Sequence, residues 1–141
     1  MARAVFEHVQ LQGSAAFIAL TRAALELLRL AECSAEVWDL LAVVRKGKRS
    51  GVAASDEVPV IDVGKKVWNS PKIWYASGIG HEGFHIRLYR DALTRSGGCE
   101  PALDTWAGVE AERKCLDFQL RVLEQLSAER HYLEPVMHFG P

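Results

Sequence analysis

His81-Glu82-Gly83-Phe84-His85 constrains this chain more than any other stretch. It lies inside a run that reads as one helix, from about Ser77 to Thr94. Residues four apart on a helix lie one above the other on the same face. His81 and His85 therefore present two imidazoles to one point, the arrangement that a single zinc ion takes. Glu82 is about 100° further round. There it misses the metal yet reaches a water bound to it. Zinc lowers the pKa of such a water to about 7, and a nearby carboxylate can take its proton. The alternative is a polar helix face that happens to carry two His.

Winding the helix shows which way the pair faces. Leu88 and Ala92 share the arc of His81 and His85. Phe84 lies on one flank; Ile79, Ile86 and Leu93 lie on the other. Arg87, Arg90, Asp91 and Thr94 take the remaining arc. Both His thus face inward, and an inward His needs a partner. Gly78, Gly80 and Gly83 each cost about 1 kcal/mol of helix propensity against Ala. Three of them in one helix suggest close backbone approach, as where a strand passes a site. A frayed loop before a shorter helix is the bland alternative.

A chain of 141 residues reads as one domain, 1–141, with one sizeable core. The net charge of −1 argues against a mainly electrostatic nucleic-acid binder. No stretch reads as a signal peptide or a membrane span. Cys33, Cys99 and Cys115 have no C-x-x-C spacing, which fits reduced thiols in a cytoplasm.

In chain order, residues 4–11 alternate as one strand, with Val5, Val9 and Leu11 on one face. Gly13-Ser14 ends it and caps a helix to about Glu32. Ser34 caps a second helix, with Val37, Leu40, Leu41 and Val44 at i, i+3, i+4, i+7. The basic run 45–51 reads as its solvated end, a phosphate contact being the alternative. Residues 58–63 read as a strand. Val67-Trp68 is a brief pairing segment, and Asn69-Ser70-Pro71 a turn. Residues 72–76 read as a second strand, feeding the His81 helix and offering a free edge to an extended peptide. Ser96-Gly97-Gly98 stops that helix. Asp104 or Thr105 caps a long last helix to about Leu126.

A catalytic zinc needs a third protein ligand and an open position. With Glu112 at zero on the last helix, Val109, Cys115, Leu116, Leu120, Leu123 and Leu126 fall on its side. Glu110 falls among the charged residues opposite. An unpaired carboxylate in an apolar stripe is expensive, so a cation belongs beside Glu112. An ion pair with Arg or Lys is the alternative to metal ligation. Gln119 shares the inner face and can orient a ligand by hydrogen bonding.

His81-Glu82-x-x-His85 followed by Glu112 in a second helix resembles the gluzincin metallopeptidases. The run 112–118 is similar to the Glu-x-x-Ala-x-x-Phe pattern of some small members, with Cys115 in place of Ala. The resemblance covers about residues 72–126. It implies His81, His85 and Glu112 as zinc ligands and Glu82 as general base. It also implies a donor to the reaction's oxyanion. The candidates are His131, Tyr132, Tyr75 and His138; His131-Tyr132 either folds back over the cleft or is exposed tail. The pattern is not metzincin-like, because the positions of that family's Gly and third His hold Leu88 and Asp91.

The expected fold is therefore α+β and zincin-like: a small twisted sheet flanked by helices, with zinc between two of them. The expected activity is hydrolysis of a peptide or protein substrate, with no nucleic-acid or membrane partner. The rival is a non-catalytic zinc module that joins two helices.

Overall fold

The computed structural model describes residues 2–55 and 57–133, with side chains to residue 127. The chain opens with a hairpin. β1 (Ala2–Phe6) runs antiparallel to β2 (Val9–Gly13), with Ala2 opposite Gly13 and Phe6 opposite Val9. This corrects the single strand expected over 4–11. The turn is Glu7-His8, with Glu7 in the left-handed region at φ 53°. Tight hairpin turns usually announce themselves with Asn, Asp or Gly, and Glu-His carries no such signal.

Ser14 caps α1 (Ala15–Leu28), its Oγ accepting the Phe17 N–H at 3.2 Å. Helix α1 is the crossover of a βαβ unit, since β3 (Val43–Lys46) lies parallel to β2. Two 3-10 turns, Glu32–Glu36 and Trp38–Leu40, stand where a second helix was expected. The helical spacing of Val37, Leu40, Leu41 and Val44 did not win. Leu41 turns extended at ψ 123°, and Val43-Val44 enter the sheet, which suits β-branched side chains. Arg45 and Lys46 belong to β3 as well, so the basic run does not end a helix. Arg45 makes a two-pronged ion pair with Asp62, at 2.8 and 3.2 Å.

The sheet is completed by β4 (Gly51–Ala53) and β5 (Val60–Val63), giving the order β1-β2-β3-β5-β4. Strand β5 is parallel to β3 and antiparallel to β4. Leu11, Val44, Ile61 and Val52 align across four strands as one row. The first three of these are buried against the helices. The next row, Gln12, Arg45, Asp62 and Gly51, is polar apart from its glycine. Pleat alternation thus gives the sheet one helix-covered face.

Val67-Trp68 lie in a short helix, α2 (Lys65–Trp68), and do not pair as a strand. The expected strand over 72–76 is the start of α3 (Lys72–Arg95), entered from Pro71. Locally the burial does alternate, with Ile73 and Tyr75 inside and Trp74 half exposed. Only the wider run of buried Ala76, Ile79, Ile86 and Tyr89 reveals the helical period. After α4 (Leu103–Ala107), Gly108 separates α5 (Val109–Leu133). Helix α3 packs chiefly on α5 and α1. The fold is α+β, a five-stranded mixed sheet with helices. Among the described residues no helix is long and apolar enough to cross a membrane.

One buried polar bond joins α1 to α3: Thr21 Oγ1 pairs with the Tyr75 hydroxyl, both groups being out of solvent. Tyr75→Phe leaves Thr21 without its partner and should cost about 1–3 kcal/mol in urea unfolding. Adding Thr21→Val should recover part of that loss, because both ends of the bond are then gone. Unchanged stability in Tyr75→Phe would show that the bond holds nothing.

Candidate metal centre

Helices α3 and α5 face each other across the site. Phe84 stacks on Phe118 with ring centroids 4.8 Å apart. Gly80 faces this contact: a Cβ there would lie 3.4 Å from both Phe118 and Val122. A Cβ on Gly83 would lie 3.2 Å from Val37 and Leu41. Of the three glycines only Gly83 marks tighter than ordinary packing; a Cβ on Gly78 would lie 3.5 Å from Val67, an ordinary contact. The close neighbours are side chains of α5 and of the 3-10 segment, where a passing strand was expected.

His81 and His85 lie on the buried face of α3, with ring centroids 5.2 Å apart. Their hydrogen bonds fix which nitrogen carries the proton. His85 Nδ1 is 2.6 Å from the Trp106 carbonyl, which can only accept, so Nδ1 donates. His81 Nδ1 is 2.9 Å from Gln119 Oε1. The Gln119 orientation is set in turn: its Nε2 donates to Ser77 Oγ at 3.2 Å, and Ser77 donates to the Trp74 carbonyl at 2.8 Å. That relay runs one way only, so His81 Nδ1 also donates. In a neutral ring the lone pair then sits on Nε2.

Both Nε2 atoms face one carboxylate. Glu112 Oε1 is 2.8 Å from His81 Nε2, and Oε2 is 3.0 Å from His85 Nε2. An ionised carboxylate only accepts. Acceptors therefore meet acceptors unless a cation lies among them, either a proton on each Nε2 or a metal ion. The donor set of two imidazoles and a carboxylate fits zinc.

Glu112 reaches this point from the rim. Its side chain is 51% exposed, against 11% and 8% for the two His. It was expected in the middle of a buried stripe, and the stripe is turned from that position. Ala111, Cys115, Phe118, Val122 and Leu126 are buried, while Leu116 and Leu120 are about half exposed. Aromatic Phe118 and β-branched Val122 fix the inner face, and Glu112 borders it. Glu110 points away, 3.9 Å from Arg113.

Glu82 Oε1 lies 3.8 Å from His81 Nε2, with 17% of its side chain exposed. Burial pushes its carboxyl pKa up; the two His pull it down, and Glu112 adds to the rise. Glu82 opens onto two adjoining cavities that also share Ser50. One, of about 170 Å³, is mostly apolar and touches Ile61, Val67, Ile79 and His81. The other, of about 340 Å³, runs from Gly51 and Val52 of β4 to His85, Trp106 and Glu112.

Of the oxyanion candidates only Tyr75 has a described side chain, and it lines the cavity beside His81 and Glu82. The Tyr75 hydroxyl is engaged by Thr21 in the core. The side chains of His131 and Tyr132, and all of His138, lie outside the described residues. Helix α5 runs on to Leu133.

No family model matches this chain, and no curated protein or solved structure matches it either.

Sequence reading missed the Trp106 carbonyl, the Ser77 relay, the β4 edge and the Cys115 thiol. Only Cys115 carried a signal, being three residues after Glu112 and so on a neighbouring face. Its thiol pKa is pushed up to about 12 by burial, with Glu112 and Glu82 adding.

The proton assignment is testable by imidazole nitrogen NMR. At neutral pH both rings should carry a proton on Nδ1. Gln119→Leu should release His81 into a mixture of tautomers and leave His85 as it was. An unprotonated Nδ1 on either wild-type ring would undo the assignment.

Proposed function

We propose that this protein is a zinc-dependent peptidase of the gluzincin type. His81, His85 and Glu112 would hold the metal, and Glu82 would act as general base. The observation that carries this reading is the meeting of His81 Nε2 and His85 Nε2 with the two oxygens of Glu112 at one point, while each Nδ1 is held by an acceptor.

Zinc, when bound there, supplies a Lewis acid that polarises a carbonyl and acidifies a water. The chain's own groups do the rest. The Trp106 carbonyl and the Gln119 relay keep the imidazoles turned towards the site. Glu82, buried beside His81, accepts the proton of the attacking water and later delivers it to the leaving amine.

The cleft supports a peptide as substrate. Strand β4 pairs with β5 alone and ends the sheet, so its outer backbone groups can align an extended chain. This edge takes the place of the 72–76 segment, which is helical. The apolar cavity beside His81 and Glu82 would take one apolar side chain of the substrate. The rival reading, a structural zinc module, calls for a closed site. The roughly 340 Å³ opening at Glu82, His85 and Glu112 favours catalysis. Three free cysteines support a cytoplasmic setting.

Glu82→Gln keeps shape and volume and removes the base. It should retain the metal and the fold, while cleavage of a mixed peptide library, read by mass spectrometry, falls about 10²–10⁴-fold. Equal cleavage by wild type and variant would rule out Glu82 as the base.

A further inference from the structure

Glu112 is not alone among α5 donors in approaching the histidines. Cys115 is nearly one turn further on and comes from the buried side, its side chain fully out of solvent. Its Sγ and one nitrogen of each imidazole all lie within 4.8 Å of one another. A tetrahedral zinc with Zn–S near 2.3 Å and Zn–N near 2.0 Å sets S···N at about 3.6 Å. Side-chain adjustments of roughly 1 Å would therefore suffice.

We propose that Cys115 is a thiolate ligand of the ion held by His81 and His85, an inference that rests on the metal reading above. A buried cysteine can be mere filling, but filling does not require convergence on two imidazoles. On binding, the Cys115 S–H bond breaks and sulfur donates its electron pair to the metal. The proton leaves to solvent, and nothing is oxidised or reduced. A thiolate selects zinc, cobalt or cadmium over magnesium or calcium. With Cys115 bound beside the two imidazoles, the half-exposed Glu112 carboxylate and a water would compete for the fourth position.

Cobalt makes the sulfur visible. The full chain, stripped of metal and kept reduced, is titrated with Co²⁺. Wild type should develop a thiolate-to-cobalt charge-transfer band in the near ultraviolet beside the visible cobalt bands. The near-ultraviolet band should survive Glu112→Gln and vanish in Cys115→Ala, which should also release one proton fewer per cobalt bound. The double variant Cys33→Ser/Cys99→Ser leaves Cys115 as the sole thiol and should keep the band, so the test does not depend on Cys115→Ala folding. Cobalt bound by wild type without that band overturns the Cys115 ligand and leaves the metal reading standing. A band lost in the double variant overturns it too. No cobalt bound by wild type overturns both.

Discussion

Two backbone carbonyls decide how this site is built. The Trp106 carbonyl accepts from His85, and the Trp74 carbonyl anchors the Ser77–Gln119 relay that ends on His81. Neither carbonyl can donate, so neither imidazole has a choice of tautomer. Both lone pairs are thereby aimed at Glu112. Metal-binding histidines ordinarily have their second nitrogen held in this way. Without these outer contacts the two rings would be a polar pair in a helix interface. With them both rings are held with Nε2 turned to the Glu112 carboxylate.

Packing keeps that set in register. The relay crosses from α3 to α5, so a small shift between the helices would break it. The Phe84–Phe118 stack holds the helices in contact, and Gly80 faces Phe118 and Val122 at van der Waals distance. Gly83 lets the 3-10 segment lie directly on the motif. The glycines cost helix propensity, about 1 kcal/mol each against Ala. At Gly83 a Cβ would press on Val37 and Leu41 at 3.2 Å, so that glycine marks the tighter of the two contacts.

The sequence made the motif and its inward face legible, because i,i+4 spacing and a helical apolar arc are local properties. It also marked the Ser14 cap, the turn before Pro71 and the α+β class. What it hid was tertiary. Residues 72–76 alternate like a strand over five positions, yet they belong to a 24-residue helix. Val37, Leu40, Leu41 and Val44 keep helical spacing, yet the sheet claims Val44 as a central position. Glu112 was placed among apolar neighbours by a helical wheel that gave Leu116 and Leu120 the same weight as Cys115. Phe118 and Val122 decide the buried face instead. Backbone carbonyls such as that of Trp106 have no signature in a sequence at all.

The central claim is that a metal ion, and not a pair of protons, joins His81, His85 and Glu112. Native mass spectrometry of the metal-stripped chain during zinc titration tests it most directly. One zinc per chain is predicted in wild type and in Glu110→Ala, with none retained by His81→Ala/His85→Ala. A wild type that takes up no zinc, or a double variant that still binds one, would contradict it.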